Sequence, residues 1–154
     1  MLKKILIQIL FFVIGAVGYP CIEMIYRSGH THWTMILVGG LAFLTIMDVN
    51  LILKDKNILI RIWATTFMVT LIELIAGLII NKWLGMKVWD YTNIPYNICG
   101  QICLKFSFYW SLLCMAIIIV SNIIMFITKK IKTKKIKHTP NNLIETISKK
   151  DFVC

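Results

Sequence analysis

The chain has 154 residues, of which 58% are hydrophobic, and a formal net charge of +10. Soluble domains average about 45–50% apolar residues, so this composition excludes an ordinary soluble fold. The apolar excess falls in four blocks of about 20 residues each, the length that crosses a hydrocarbon core of about 30 Å. We therefore predict a single membrane domain, and we interpret the basic charge as a topology signal and not as a nucleic-acid surface.

The four apolar blocks predict four transmembrane helices, at residues 5–25, 33–53, 58–80 and 102–127. A basic start precedes the first block, as in a signal peptide, but the block continues past Pro20 without a good cleavage site. We therefore expect the first helix to be retained. Gly15 and Gly18 in that helix are small enough to let a second helix approach closely.

The distribution of Lys and Arg predicts the orientation of the helices. With both termini cytoplasmic, 13 of these residues lie on the inner side and 4 on the outer side. Short loops rich in Lys and Arg stay in the cytoplasm. The predicted fold class is thus an all-α integral membrane protein of the cell membrane, with both termini cytoplasmic and an aromatic outer loop at residues 81–101 between helices 3 and 4.

The last part of the chain is basic and polar. We predict a transmembrane domain over residues 1–128 and a flexible cytoplasmic tail over residues 129–154. A lysine cluster after the fourth helix is typical of a stop-transfer signal that determines topology. The alternative is contact with anionic lipid. The cluster consists of Lys129, Lys130, Lys132, Lys134, Lys135 and Lys137.

A polar stripe follows one side of the third helix. Thr66, Thr70, Glu73, Gly77 and Asn81 are three or four residues apart, the spacing that places side chains on one helix face. Polar side chains inside a membrane usually face the bundle interior or a cavity. Glu73 lies about 10 Å below the predicted outer surface, at 1.5 Å per residue.

Two partners are open for Glu73. Lys105, three residues into the fourth helix, lies at a similar depth and has a long side chain, so an ion pair with Glu73 is geometrically reasonable. Such a pair would either determine helix register or belong to a site for an ion, a proton or a lipid head group. Glu23 is spaced to pair with Arg27 one turn later, and alternatively it joins Glu73 to form a cation or proton site.

Other polar residues point to no established chemistry. Asp48 and Arg61 lie near the inner ends of helices 2 and 3, where we expect a structural contact. His30 and His32 have no third ligand nearby, so no metal is expected. No acyl-transfer triad is evident, and no cofactor is predicted. The residues therefore do not predict an enzyme.

The most specific sequence pattern includes the aromatic outer loop and extends into the helices on either side. The residues that form the pattern are Gly18-Tyr19, Glu23, Trp33, Gly39-Gly40, Glu73, Gly77, Trp89-Asp90-Tyr91, Pro95, Asn97, Gly100 to Leu104, Phe106-Ser107 and Trp110. Over roughly residues 15–115 this pattern resembles the CmpB family of small four-helix membrane proteins, which carries an ABC-transporter permease label. Thr92 stands where that pattern usually has Ser. The resemblance implies that Glu23, Glu73 and Trp89-Asp90-Tyr91 are family features, and it implies little about activity.

We predict a permease-like or transport-associated membrane protein. Four helices are few for a transport pathway, so we expect a homo-oligomer or a larger membrane complex. The alternatives are a membrane enzyme acting on lipid or envelope substrate, with Glu73 or Asp90 as acid or base, and a non-catalytic subunit that binds other helices. The predicted binding residues are Glu23, Glu73, Lys105, Trp89, Asp90, Tyr91 and Asn97.

Overall fold

A computed structural model describes residues 2–137, with side chains through Ile131. It contains four long helices, α1 (Leu2–Tyr26), α2 (Thr34–Ile52), α3 (Ile58–Gly77) and α4 (Leu104–Lys137). The prediction of an all-α chain with four helices long and apolar enough to cross a membrane is confirmed. The predicted lipid-binding lysines beyond Ile131 lie outside the described side chains, and the predicted flexible tail from His138 onward lies outside the described residues.

Large apolar side chains cover the outside of the helices. Leu6, Phe67 and Trp63 are each more than half exposed. A soluble monomer rarely exposes contiguous apolar patches beyond a few hundred Å². These outward faces are therefore the surfaces that contact lipid tails.

The third helix does not end at Gly77 but continues as a π-helical segment, Leu78–Trp83. A connecting segment then runs over residues 84–103 to α4. It contains a short antiparallel ribbon of β1 (Asn97–Ile98) and β2 (Ile102–Cys103), in which Asn97 pairs with Cys103. The predicted outer loop is therefore an ordered element, because the ribbon satisfies backbone groups that lipid would leave without partners.

Glycine brings α1 and α2 together. A Cβ on Gly39 would lie 2.7 Å from the carbonyl oxygen of Gly15, so the two backbones touch. Small residues permit this approach between membrane helices. The prediction for Gly15 is thus confirmed. The prediction for Gly18 is wrong, because a Cβ there would meet nothing within 4 Å.

The first compact unit of the chain ends at Ile118, and the second begins at Ile119. Within the first unit, α2, α3 and the start of α4 share an apolar core. Its buried members are Ala42, Ile46, Val69, Trp110, Cys114 and Ile118. Through this core, the face of α3 that carries Glu73 packs against the start of α4.

Near the α2–α3 turn, the expected contact between Asp48 and Arg61 is replaced by other partners. The Oδ1 atom of Asp48 accepts a hydrogen bond of 2.8 Å from the Gln8 side chain. The guanidinium of Arg61 donates to the Oδ1 atom of Asn50 through Nε, at 2.9 Å, and through a terminal nitrogen. The buried arginine is therefore held by an amide oxygen that lies two residues after Asp48.

Candidate functional site

A cavity of about 520 Å³ lies where α1 ends, α4 begins and the connecting segment crosses them. This volume lies within the range of small-molecule sites. The cavity reaches the surface, because Tyr26, Asp90 and Tyr109 on its wall are exposed. Its lining residues are Tyr19, Ile22, Glu23, Tyr26, Arg27, Met35, Glu73, Trp89, Asp90, Tyr91, Phe106, Tyr109, Trp110 and Leu113.

Glu73 lies on this wall and is only 5% exposed. Its Oε2 atom accepts a hydrogen bond of 2.9 Å from the indole nitrogen of Trp110, and its Oε1 atom accepts one of 3.2 Å from the Tyr91 hydroxyl. Both donors are neutral. Among the described residues, no lysine or arginine forms a salt bridge with Glu73. The carboxylate therefore has hydrogen-bond donors but no compensating positive charge.

The expected ion pair between Glu73 and Lys105 is not formed. Lys105 is exposed, does not line the cavity, and lies with its ammonium 5.9 Å from the ring centre of Phe106. The sequence placed both residues at a similar depth, but depth does not determine direction around a helix axis. Trp110 takes the position opposite Glu73, because α4 packs that side chain into the core.

Glu23 forms the ion pair with Arg27 that its spacing predicted. Its Oε1 atom forms a salt bridge of 2.9 Å with Arg27, one helical turn later. Its Oε2 atom accepts a hydrogen bond of 2.5 Å from the Thr31 hydroxyl. Glu23 also lines the same cavity as Glu73. The Glu23 carboxylate is thus paired with a cation, whereas Glu73 has no cationic partner within the part of the chain that the structure describes.

A buried amide pair holds the connecting segment in place. The Asn81 side chain donates to Oε1 of Gln101 at 2.8 Å and accepts from the backbone nitrogen of Val88 at 2.7 Å. The indole nitrogen of Trp89 donates to the backbone oxygen of Gln101 at 3.0 Å. Asn81 ends the polar stripe of the third helix. The stripe therefore positions Trp89 in the cavity wall.

Asp90 begins a tight turn on the exposed side of the site. Its Oδ1 atom accepts hydrogen bonds from the backbone nitrogen and the hydroxyl of Thr92, at 2.9 and 2.7 Å. These bonds favour the ionised form and lower the pKa of Asp90 below its usual 3.8. The turn requires Gly100, whose φ is +69° and where a Cβ would lie 2.5 Å from the Thr92 methyl group.

Tyr91 points its hydroxyl at Glu73 and its backbone nitrogen at the oxygen of Gly100, 2.8 Å away. Burial, together with the nearby Glu73 carboxylate, raises the pKa of Tyr91 well above its usual value. The hydroxyl therefore remains protonated and remains a donor to the carboxylate.

Asn97 does not line the cavity. Its amide donates to the backbone oxygens of Thr92 and Ile94, at 3.2 and 2.8 Å, and its Oδ1 atom accepts from the nitrogen of Gly100, at 3.0 Å. Asn97 thus closes the turn that carries the aromatic residues. Of the seven predicted binding residues, the structure brings five to the cavity wall, namely Glu23, Glu73, Trp89, Asp90 and Tyr91.

Stacked aromatic rings form two sides of the cavity. Tyr91 and Phe106 stack with ring centres 4.5 Å apart, and Tyr19 and Trp110 stack at 5.2 Å. The sequence analysis did not assign Tyr19, Phe106 and Trp110 to the site. All three belong to the family pattern, which was the available signal.

A second, smaller cavity of about 180 Å³ adjoins the first. The two share Tyr19, Ile22, Trp110 and Leu113 as wall residues. The other residues of the smaller cavity are apolar or glycine, including Gly18, where the missing side chain leaves open space. A polar, aromatic cavity therefore has an apolar cavity beside it.

The comparisons with known proteins agree with the sequence pattern. Residues 9–149 match the model of the CmpB family, ABC_trans_CmpB, described as "Putative ABC-transporter type IV". The chain belongs to the CmpB family. Neither the comparison with curated proteins nor that with solved structures found a match.

The site of this CmpB chain does not resemble a metal centre. Within residues 2–137 there is no group of three or more His, Cys, Asp or Glu side chains that could hold an ion. The four described cysteines, Cys21, Cys99, Cys103 and Cys114, are free thiols. What the arrangement offers is a buried carboxylate, neutral donors and aromatic surface, which together suit recognition of a ligand by charge and shape.

Proposed function

We propose that this CmpB-family chain is a permease-like or transport-associated membrane protein whose ligand site is the cavity around Glu73. The observation that carries the proposal is the state of the Glu73 carboxylate, which is buried, lines a cavity and has no cationic partner among the described residues. An ionisable side chain within a membrane-spanning helix is costly to bury, and such side chains commonly mark ligand or ion pathways.

The polar stripe supports a ligand site over a helix-binding surface. A subunit that binds other helices would present its polar stripe outward, but Thr66, Glu73, Gly77 and Asn81 are all buried. The hydroxyl of Thr70 has no hydrogen-bond partner in the described chain, and that of Thr66 has at most the thiol of Cys114. These hydroxyls offer a short polar path from Glu73 towards the opposite membrane surface.

We further propose that the cavity opens to the outside of the cell membrane, with both termini cytoplasmic. The support is the excess of Lys and Arg at the chain ends and the α2–α3 turn. Because four helices enclose little space for a pathway, transport would take place in a homo-oligomer or a larger complex.

The proposal is tested by ligand-dependent stabilisation of the purified protein in detergent. A ligand that binds the folded state raises the unfolding temperature. A library of metabolites and lipid analogues is screened against the wild type, the Glu73→Gln variant and the Asp55→Asn variant. The last is a matched control, since it makes the same chemical change at an exposed residue in the α2–α3 turn.

We expect ligands that stabilise the wild type and Asp55→Asn but not Glu73→Gln, and we expect these ligands to enter proteoliposomes that contain the wild type. The proposal fails if Glu73→Gln responds to every ligand as the wild type does. It also fails if mass spectrometry shows that a Glu73-dependent ligand is converted into a product, because that result identifies an enzyme.

A further inference from the structure

We infer that the cavity recognises an organic cation, a substituted ammonium group that carries an alkyl chain. This inference rests on the proposed ligand site at Glu73 and names its ligand class. The ammonium group would lie between Glu73 and the aromatic walls, and the alkyl chain would enter the smaller apolar cavity. Three features of the described residues support it.

The first feature is charge. The cavity wall carries three carboxylates, of Glu23, Glu73 and Asp90, but only one cationic side chain, that of Arg27. Arg27 is already engaged, since it pairs with Glu23 at 2.9 Å and donates to the oxygen of Val88 at 3.3 Å. The charges of Lys82 and Lys87 act on Asp90, and Glu23 is paired with Arg27, which leaves Glu73 as the wall carboxylate without a cationic partner among the described residues. Complementary charge attracts cations to such a site and repels anions.

The second feature is the aromatic content of the wall. Half of the lining residues are aromatic, namely Tyr19, Tyr26, Trp89, Tyr91, Phe106, Tyr109 and Trp110. Aromatic rings attract cations through their negative faces, and cages of such rings bind quaternary ammonium groups. A substituted ammonium group is weakly hydrated, so it loses little on leaving water for this wall.

An inorganic cation fits the same wall less well. Small metal ions require several oxygen ligands at short distance. Each oxygen of Glu73 already accepts a hydrogen bond, from Trp110 or from Tyr91, and the remaining surface near it is largely aromatic. A proton needs no cavity of about 520 Å³. The geometry therefore favours a bulky cation.

The third feature is the apolar cavity that shares a wall with the main one. It is lined by Ile14, Phe43, Ile46 and other apolar residues, and it shares Tyr19 and Trp110 with the main cavity. Burial of an alkyl chain there removes apolar surface from water, which favours binding. A ligand with a cationic head and a short apolar tail would use both cavities.

The test measures binding of hexyltrimethylammonium by isothermal titration calorimetry in maltoside detergent. The preparation is kept free of phosphatidylcholine, whose head group carries the same ammonium chemistry. Choline, hexanesulfonate and dihexanoylphosphatidylcholine serve as comparison ligands, because they remove the tail, reverse the charge or attach the head group to a lipid.

A fluorescence version locates the bound cation. Trp33, Trp63 and Trp83 are more than half exposed and do not line the cavity, so they are replaced by Phe. Trp89 and Trp110 then remain as the only tryptophans of the chain, and both line the cavity. We expect saturable quenching or a spectral shift on addition of the cation.

We expect hexyltrimethylammonium to bind and hexanesulfonate not to bind. Glu73→Gln should lower the affinity for the cation at least about tenfold, and Asp55→Asn should leave that affinity unchanged. Gly18→Leu should fill the apolar cavity without a backbone clash, since a Cβ there meets nothing within 4 Å. This variant should lower the affinity for hexyltrimethylammonium several-fold and leave the affinity for choline unchanged. Equal binding of the short-chain lipid would identify a lipid head group as the source, and binding of hexyltrimethylammonium without binding of the short-chain lipid would identify a soluble cation.

The inference is overturned if hexyltrimethylammonium does not bind, if the anion binds as well as the cation, or if Glu73→Gln retains full cation affinity. Glu73-dependent ligands that are all neutral or anionic would overturn the inference and leave the proposed ligand site standing. Cations that bind but never cross a proteoliposome membrane would uphold the inference and count against a permease.

Discussion

The Asn81→Ala substitution gives the sharpest test of how the site is assembled. Asn81 makes two buried hydrogen bonds, one to Oε1 of Gln101 and one from the nitrogen of Val88. Alanine would leave both groups without a partner, and Gln101 is only 2% exposed and Val88 only 7%. Each unsatisfied buried group costs about 1–3 kcal/mol, so the free energy of unfolding should fall by about 2–6 kcal/mol for the two groups.

The assay is unfolding by SDS in mixed micelles, followed by circular dichroism. Asn93→Ala is the matched control, because Asn93 lies in the same connecting segment and is exposed. Asn81→Ala should also weaken ligand binding, since Trp89 and Tyr91 lie on the segment that Asn81 holds. A loss within about 1 kcal/mol of that of Asn93→Ala would show that the amide pair does not hold the segment.

Two further outcomes are expected. Gly77→Ala should destabilise the protein by about 1–3 kcal/mol, because the new Cβ would lie 2.6 Å from Oε1 of Gln101. Gly18→Ala is the control and should not destabilise it. Equal free energies of unfolding for the two variants would contradict this prediction. The lowered pKa of Asp90 means that its stabilising effect is present above about pH 3.8 and is lost as the pH falls through the lower folded-state value. In a plot of the unfolding midpoint against pH, Asp90→Asn should therefore reduce the fall of the midpoint at acid pH. An unchanged fall would refute the role of the Thr92 hydrogen bonds.

The polar stripe on the third helix could be predicted because helical spacing is a local property. Thr66, Glu73, Gly77 and Asn81 fall on one face by spacing alone, and all four are buried. The pair of Glu23 with Arg27 could be predicted for the same reason, since the two residues are four apart where α1 ends.

The partner of Glu73 could not be predicted in the same way. Lys105 and Trp110 lie in the same part of α4, and the choice between them depends on how that helix is rotated against α3. The core contacts of Trp110 and Cys114 set this rotation. Charge alone predicted Lys105 as the partner of Glu73. Burial of the apolar face of α4 instead places the indole nitrogen of Trp110 beside the carboxylate. Asn97 was likewise assigned to the ligand site, although its short-range hydrogen bonds close a turn.

The sequence by itself determined that this chain has four helices long and apolar enough to cross a membrane, that a carboxylate lies within the third, and that the chain belongs to the CmpB family. Those properties depend on composition, spacing and a local pattern. Only the tertiary structure decided that Glu73 faces a cavity, accepts hydrogen bonds from Trp110 and Tyr91, and has no cationic partner among the described residues. The physical reason is that the partners of a buried side chain are set by helix rotation and by the path of the connecting segment, which depend on packing between elements far apart in the chain.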